Sequence, residues 1–280
     1  MKLSIVTINF NNAEGLRRTL ASVDEQSYKD IEHIIVDAAS SDGSVEFIKA
    51  YANTAKHTVV WSSERDNGIY DGMNRGIRKA TGAYIQILNS GDILAAPDVT
   101  ERMMNAIYTV HHTPYTENIP DILYGNMIKK DYATGKIIGK SMEVEYSLRQ
   151  YFSSTMNHDC CYFRRDLFET YGLYDENLKI VSDWKWFLQA IGLGHVKPEY
   201  VDIDVTIFDA SGISETNLDL RRQERRHVLK EVLPSAVLAD YDAHAFEMEQ
   251  MKRLRNHHLY GLVYFIERVL FKLEKWKILR

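Results

Sequence analysis

Short apolar segments alternate with helical segments at the start of the chain, and this alternation most constrains the fold. Residues 3–8, 31–36 and 58–61 are rich in β-branched side chains, as in strands buried on both faces of a parallel sheet. Between the first two, Leu16 and Leu20 are spaced to lie on one face of a helix. The order strand, helix, strand, helix, strand predicts a Rossmann-like half of an α/β domain.

A polar, glycine-rich turn at residues 66–76 leads into a short predicted helix, a stop at Gly82, and a further buried strand. That strand ends in Asn89-Ser90-Gly91-Asp92. In open α/β sheets, ligands bind outside the carboxyl ends of strands, where the strand order reverses. A carboxylate at this edge, beside glycines that let a ligand approach the backbone, predicts a metal-bound phosphate site.

The remaining segments are predicted from the same periodicities and from turn residues. They are a helix at 99–110, strands at 122–128 and 136–139, short helices at 164–171 and 181–191, strands at 196–208, and charged helices from residue 218 onward.

Composition excludes several classes of protein. The net charge of -5 over 280 residues argues against general nucleic-acid binding. The two cysteines, Cys160 and Cys161, are adjacent, which suits neither a structural disulfide nor a zinc site and fits a reducing cytoplasm. The apolar run at residues 3–8 is too short for a signal peptide, and no stretch approaches the roughly 20 apolar residues of a membrane span. We expect a cytoplasmic protein, with attachment to the inner face of a membrane as the alternative.

Several polar residues are candidates for chemistry, and each has a structural alternative. Asp37, at the end of the second strand, is equally suited to binding a nucleotide and to a turn. The first turn, at residues 9–12, is not G-x-G-x-x-G, which counts against a dehydrogenase. Phe10 in that turn suits either base stacking or the core. Asp183 suits catalysis or a helix cap, and His158 suits catalysis or a buried structural role.

Several motifs occur in the order typical of one protein family. Residues 4–11 resemble its opening strand and Tyr/Phe-Asn turn, and residues 35–44 resemble its V-D-D-G-S-x-D-G-S segment. Residues 66–92 are similar to its D-x-G-I-Y-D-A-M-N-K-G-I and L-N-S-G-D motifs, and residues 158–184 and 208–214 resemble its later motifs. On these residues the chain resembles a family 2 glycosyltransferase of the bacterial cell-surface polysaccharide subgroup, which includes colanic-acid-type enzymes.

The resemblance covers residues 1–215 and implies a GT-A domain, a Rossmann-like α/β fold with a mixed sheet flanked by helices. Residues 216–280 lie outside it as a C-terminal helical extension. It also implies an inverting transfer of a sugar from a nucleotide-diphosphate sugar to a hydroxyl of a saccharide or polyprenyl-linked acceptor, in cell-surface polysaccharide biosynthesis.

The family pattern implies which residues hold the substrates. The donor-binding residues would be Thr7, Phe10 and Asp37 at the nucleotide base, with Asp66, Asn74, Arg75, Asn89 and Asp92 around the sugar and diphosphate. Asp183 would be the general base, and His158 and Trp184 are candidates on the acceptor side.

The D-x-D motif that the family uses to bind a metal is altered here. Asn89-Ser90-Gly91 stands in its place, so Asp92 is the single remaining carboxylate. We expect Mg²⁺ or Mn²⁺ to be held by Asp92 and mainly by the donor diphosphate.

The last predicted helix has an apolar face and a basic excess. Residues 260–280 contain five basic and two acidic residues, a net charge of +3. A basic amphipathic helix with aromatic residues is typical of membrane interfaces. The alternatives are packing on the catalytic domain and pairing in a homodimer.

Two other functions compete with sugar transfer. A sugar nucleotidyltransferase would carry a glycine-rich loop after the first strand, where residues 9–12 stand. A non-catalytic nucleotide-sugar binder or assembly scaffold would need no base at Asp183. The direction of the Asp183 side chain, toward the pocket or away from it, therefore separates an enzyme from the last alternative.

Overall fold

The computed structural model describes residues 1–110, 119–143, 147–210, 217–257 and 260–278. The chain forms two compact units, Met1–Arg226 and His227–Arg280. The expected domain boundary after residue 215 and the motif at 212–214 fall outside the described residues, or at their edge, and stay predictions.

The first unit is built on one mixed sheet, to which the described residues contribute nine strands. The strands are β1 (Leu3–Asn9), β2 (Ile31–Asp37), β3 (Thr58–Ser63), β4 (Tyr84–Ile87), β5 (Ile93–Leu94), β6 (Ile122–Lys130), β7 (Ile137–Lys140), β8 (Cys161–Arg164) and β9 (Pro198–Asp209). Their order is β3-β2-β1-β4-β8-β6-β9-β5, with β7 paired to β6 outside this path.

Helices connect and cover these strands. They are α1 (Ala13–Asp24), α2 (Ser44–Thr54), α3 (Ile69–Lys79), α4 (Val99–Val110), α5 (Leu148–Ser153), α6 (Leu167–Thr170), α7 (Ser182–Phe187), α8 (Leu218–Val232), α9 (Ser235–Arg255) and α10 (Tyr260–Ile278).

The strand order reverses at β1, which pairs in parallel with β2 on one side and β4 on the other. The chain runs outward from β1 through β2 to β3, and then returns to β4 across β1. The predicted strand–helix alternation is confirmed. Because parallel strands share one carboxyl edge, the segments after β1, β2 and β4 meet at a single crevice.

The second half of the sheet differs in detail from the prediction. The predicted helix at 164–171 is wrong at its start, because β8 extends to Arg164 in antiparallel pairing with Tyr84 of β4. The predicted helix at 181–191 consists of α7 followed by a wider π-helical turn, Leu188–Gly192. The strands predicted at 196–208 form the single strand β9, which pairs in parallel with β6 over most of its length.

A buried apolar cluster joins the two halves of the sheet beneath α4. Met103, Met104 and Ile107 of α4 are fully buried against Leu3 and Tyr84 of the central strands. Cys160 and Cys161 are buried free thiols.

The second unit exposes much of its apolar surface. α9 has no buried residue, and α10 exposes most of its large apolar side chains between residues 262 and 271. None of the described helices is long and apolar enough to cross a membrane.

Gly82 lies where the turn before β4 passes close to β1. A Cβ atom at Gly82 would lie 2.7 Å from the backbone nitrogen of Ser4 and 2.8 Å from the carbonyl oxygen of Lys2. The amide of Gly82 donates to Ser4 Oγ at 2.9 Å. The glycine was predicted as a helix stop, and the structure shows that it also allows this close approach between turn and strand.

We expect Gly82→Ala to lower the free energy of unfolding by about 1–3 kcal/mol, because backbone atoms of a central strand must move to admit the methyl group. Gly139→Ala is the matched control, since its Cβ would meet nothing closer than 3.9 Å, and we expect a change within about 0.5 kcal/mol. Denaturant unfolding of both variants measures the difference. Equal stability of the two variants would contradict the close approach.

Candidate active site

Asp37 lies at the end of β2, in register with Asn9 at the end of β1. Its carboxylate accepts hydrogen bonds from Asn9 Nδ2 at 2.8 Å, Ser63 Oγ at 2.6 Å, and the backbone N–H and hydroxyl of Ser40. Burial alone would raise the pKa of Asp37, but these hydrogen bonds outweigh burial and lower it. The ionised carboxylate is enclosed by protein donors, so its contact with a nucleobase stays a prediction.

The two other residues implied to hold the base differ in exposure. The buried hydroxyl of Thr7 lies 2.9 Å from Nε2 of His33, whose Nδ1 lies 2.9 Å from the hydroxyl of Tyr51. Burial, with a smaller effect of His57, lowers the pKa of His33 to about 3, so this ring is neutral. Phe10 is 65% exposed at the crevice edge. The Thr7 side chain therefore has a structural partner, whereas the Phe10 ring is accessible for stacking.

Asp66 lies in the polar turn before α3, and Arg75 lies on α3 itself. The guanidinium of Arg75 donates through Nε and Nη2 to both oxygens of Asp71, each at 2.9 Å. Burial, followed by the negative charge of Asp71, raises the pKa of Asp66 despite a hydrogen bond from the Gly68 amide. Asp71 was not singled out from the sequence, although four-residue spacing from an arginine on a helix is a recognisable ion-pair signal. A diphosphate contact by Arg75 stays a prediction.

Asn74 is buried beneath a later loop rather than open to the crevice. Its Nδ2 donates to the carbonyl of Tyr174 and to Oε1 of Glu176, both at 2.8 Å, and its Oδ1 accepts from the amide of Tyr174 at 3.0 Å. These three bonds occupy the amide group and fix the loop that precedes α7. Asn74 therefore has a structural role in holding this loop, and its predicted contact with the donor stays a prediction.

Asp92 ends the segment after β4 and is only 4% exposed. Its Oδ1 accepts the backbone N–H of Asp209 at 2.9 Å. Burial raises the pKa of Asp92 well above its usual range, and the charges of Asp159 and Asp209 raise it further. A nearby cation would offset both effects, so Asp92 fits one position in the shell of a hard metal ion.

The described residues contain no group of three His, Cys, Asp or Glu side chains arranged to hold a metal ion. Asp159, whose charge also acts on Asp92, already accepts the hydroxyl of Thr206 at 2.8 Å. A cation at Asp92 would therefore need oxygen ligands from a substrate or from water.

Asp183 is the centre of a hydrogen-bonded cluster. The hydroxyl of Tyr70, in α3, donates to Asp183 Oδ1 at 2.9 Å, and Nδ1 of His158 lies 3.1 Å from Oδ2. The side chains of Asp183 and His158 remain 15% and 17% exposed. The structure thus brings together two residues predicted separately and adds Tyr70, which the sequence did not distinguish.

The charges in this cluster support one another. Burial would raise the pKa of Asp183, but the hydrogen bond and charge of His158, with the Tyr70 hydrogen bond, lower it. The same contact with Asp183 raises the pKa of His158 against the effect of its own burial. Burial and the negative charge raise the pKa of Tyr70 well above its usual range, so Tyr70 remains a donor. Asp183 is ionised at neutral pH and held in a fixed direction.

Asn89 connects this cluster to the segment after β4. Its Nδ2 lies 3.2 Å from Nε2 of His158, while its Oδ1 is buried without a partner. Rotating the amide by half a turn exchanges these two atoms and gives Nε2–H of a protonated His158 an acceptor. Such an imidazolium donates through both nitrogens, to Asn89 on one side and to Asp183 on the other.

Trp184 follows Asp183 but is almost fully buried, with 1% exposure. Its Nε1 donates to the carbonyl of Tyr151 at 2.7 Å, and the guanidinium of Arg225 lies 5.1 Å from its ring centroid. The structure makes Trp184 a support behind the cluster, and a direct acceptor contact stays a prediction.

Comparison with known proteins identifies glycosyltransferases that are similar to this chain. An uncharacterized glycosyltransferase of Mycobacterium tuberculosis is 30% identical over 234 residues, covering 80% of this chain and 84% of the relative. A PGL/p-HBAD biosynthesis glycosyltransferase of Mycobacterium bovis is 27% identical over 217 residues, covering 77% and 80%. The crystal structure of S. aureus TarS in complex with UDP has a TM-score of 0.63 at 20% identity, covering 95% of this chain and 78% of that chain.

The likeness to TarS confirms the predicted GT-A-type fold, a mixed sheet flanked by helices with a helical C-terminal region. The model of the family described as glycosyl transferase family 2 matches residues 4–172, which is more than half of the chain. The chain therefore belongs to glycosyl transferase family 2.

Proposed function

We propose that this protein catalyses an inverting transfer of a sugar from a nucleotide-diphosphate sugar to a hydroxyl of a saccharide acceptor. Asp183 is the proposed general base. The observation that carries the proposal is its ionised, partly exposed carboxylate, oriented by Tyr70 and His158. A base in this reaction has to be deprotonated before the acceptor binds and has to keep a fixed direction.

The chemistry is a single displacement. The acceptor oxygen forms a bond to the anomeric carbon while the bond from that carbon to the diphosphate oxygen breaks on the opposite face. The hydroxyl proton passes to Asp183, and the electron pair of the broken bond leaves with the diphosphate. Because the pKa of Asp183 is low, we expect proton transfer to follow the start of C–O bond formation, when the alcohol has become acidic.

The donor is proposed to bind at the crevice formed by the ends of β1, β2 and β4. S. aureus TarS has been crystallised with UDP-GlcNAc, and the Pyrobaculum calidifontis mannosyltransferase PcManGT with GDP-Man and Mn²⁺. The exposed ring of Phe10 is the proposed stacking partner for the base, with Asp37 beneath it. Asp66, Arg75 and Asn89 are proposed to contact the sugar and diphosphate.

Asp92 is proposed to hold Mg²⁺ or Mn²⁺ together with donor oxygens. When bound, such an ion supplies positive charge where the leaving diphosphate gains negative charge. The burial of Asp92 and its acidic neighbours support the assignment, because both favour a cation beside this carboxylate.

The acceptor is proposed to be carried on a polyprenyl lipid at the inner face of the membrane, in cell-surface polysaccharide biosynthesis of the colanic-acid type. Support comes from α10, whose exposed large apolar residues lie mostly on one side when projected at about 100° per residue. That apolar face consists of Leu262, Val263, Phe265, Ile266, Val269 and Leu270. Glu267 and Arg268 lie on the other side, and the basic excess of residues 260–280 favours anionic lipid. A homodimer through the same face is the alternative.

Replacing the base tests the reaction. We expect Asp183→Asn to lower kcat by about 10²–10⁴-fold with little change in donor affinity, because the amide cannot accept the proton. Asp166→Asn, at a 56% exposed site, is the control. Nucleoside diphosphate release from a panel of nucleotide sugars measures turnover. Unchanged turnover in Asp183→Asn would exclude Asp183 as the base, whereas absence of turnover in the wild type with every donor would favour a non-catalytic binder.

Metal binding at Asp92 is testable without turnover. Mn²⁺ added with a nucleoside diphosphate should raise Tm in the wild type by mass action, and Asp92→Asn should abolish the part that depends on Mn²⁺. Asp30→Asn, a 54% exposed site, should retain it. A full Mn²⁺-dependent shift in Asp92→Asn would exclude this carboxylate as a ligand.

Membrane contact predicts binding to vesicles of equimolar phosphatidylcholine and phosphatidylglycerol at low salt. Replacing Leu262, Ile266 and Val269 together by Gln should weaken binding by about 100-fold or more, because three apolar side chains lose their burial. Tyr264→Gln, off the apolar face, should have a much smaller effect in the same sedimentation assay. If the wild type does not bind vesicles but forms a dimer, and the triple variant is monomeric, the apolar face of α10 contacts a second copy of the chain and not a membrane.

A further inference from the structure

A cavity of about 380 Å³ in the first unit has no part in the mechanism proposed above. This volume lies within the usual range of small-molecule sites. The lining is largely polar and includes two arginines and one glutamate. Its polar lining residues include Ser141, Glu143, Thr155, Asn157, Arg221 and Arg225.

The cavity adjoins the Asp183 cluster along two stretches of chain. Asn157 lines the cavity and directly precedes His158, which contacts Asp183. Arg225 lines the cavity and stacks on Trp184, the residue that follows Asp183. A molecule in the cavity is therefore next to the residues that orient and follow the proposed base.

The arginines are suited to an anionic group. Arg221 and Arg225 are four residues apart on α8, a spacing that places both on one side of the helix. The ring of Trp184 fixes the guanidinium of Arg225 by a cation–π contact, and the Trp184 ring is itself held by its hydrogen bond to Tyr151. A planar guanidinium held in place matches the oxygens of phosphate through paired hydrogen bonds.

These arginines also lie outside residues 4–172, the part of the chain that the family model matches. The proposed donor-binding residues lie within the matched part, whereas the proposed base, Asp183, lies beyond it, as α8 does. The arginines of α8 therefore belong to the same part of the chain as the proposed base, on the side where an acceptor is expected.

We propose that this cavity binds a phosphate group of the acceptor, with Arg225 and Arg221 as the binding residues and the hydroxyls of Ser141 and Thr155 beside them. The inference rests on the proposed function, because it assigns the acceptor side of the same site. Among the lining residues that the structure describes, the two arginines stand against one acid, Glu143. The phosphate belongs either to a lipid carrier diphosphate or to a phosphate ester on the saccharide.

Binding of two phosphate probes tests the proposal. Farnesyl diphosphate represents the carrier and glucose 6-phosphate the saccharide ester, each titrated calorimetrically with UDP or GDP present to fill the donor site. Arg225→Met and Arg221→Met should each weaken binding of the recognised probe by about tenfold or more, because a hydrogen bond to a charged group is lost. Arg225→Lys should lose less, since it keeps the charge.

Arg222→Met is the matched control on the same helix, because Arg222 is 77% exposed and pairs with Asp219. It should leave probe affinity unchanged, and methyl glucoside, which is neutral, should be insensitive to Arg225→Met. Equal affinity of the wild type and Arg225→Met for both probes, with both proteins folded by thermal melting, overturns the proposal. So does an equal loss in Arg222→Met.

Donor hydrolysis without acceptor separates this inference from the proposed function. If the wild type neither hydrolyses nor binds any nucleotide sugar, the proposed function fails, and the phosphate titrations still decide whether the cavity binds an anion.

Discussion

The parallel pairing of β1 with both β2 and β4 is the constraint on which the rest of the first unit depends. Because the chain crosses β1 between β3 and β4, the segments after three strands end in one crevice. Polar groups that are buried in this crevice lose their hydrogen bonds to water and need hydrogen-bond partners within the protein. Asn12 therefore donates to the carbonyl of Ser90, and Thr19 donates to the carbonyl of Asp92. The position of the site follows from the topology of the sheet more than from any single motif.

Three carboxylates of the first unit have different chemistry because they have different partners. Asp37 and Asp183 receive several hydrogen bonds, which outweigh burial and keep them ionised. Asp92 receives one backbone hydrogen bond beside other acids, and its pKa rises well above the usual range. The same residue type thus supplies an enclosed anion, an anion held in a fixed direction, and a position that favours a cation.

The periodicities of the first hundred residues predicted the strands and helices there because buried parallel strands and amphipathic helices differ clearly in pattern. Prediction failed at Arg164, where pairing with a distant strand overrides local helical preference. In the site, Asp183 and His158 were predicted as separate candidates. Their meeting with Tyr70 could not be predicted, since Tyr70 is 113 positions from Asp183. The inward direction of Thr7 and Asn74 likewise depends on partners that only the folded chain supplies.

The bridge from Asn89 through His158 to Asp183 couples the proposed donor contact at Asn89 to the proton affinity of Asp183. Any donor group that engages the amide of Asn89 changes the hydrogen bond at Nε2 of His158, and with it the charge that the imidazole presents to Asp183. By reciprocity, protonation of Asp183 changes the affinity for that donor group by the same factor. With the donor at Asn89 as proposed, the basicity of the carboxylate would differ between an empty and a filled donor crevice.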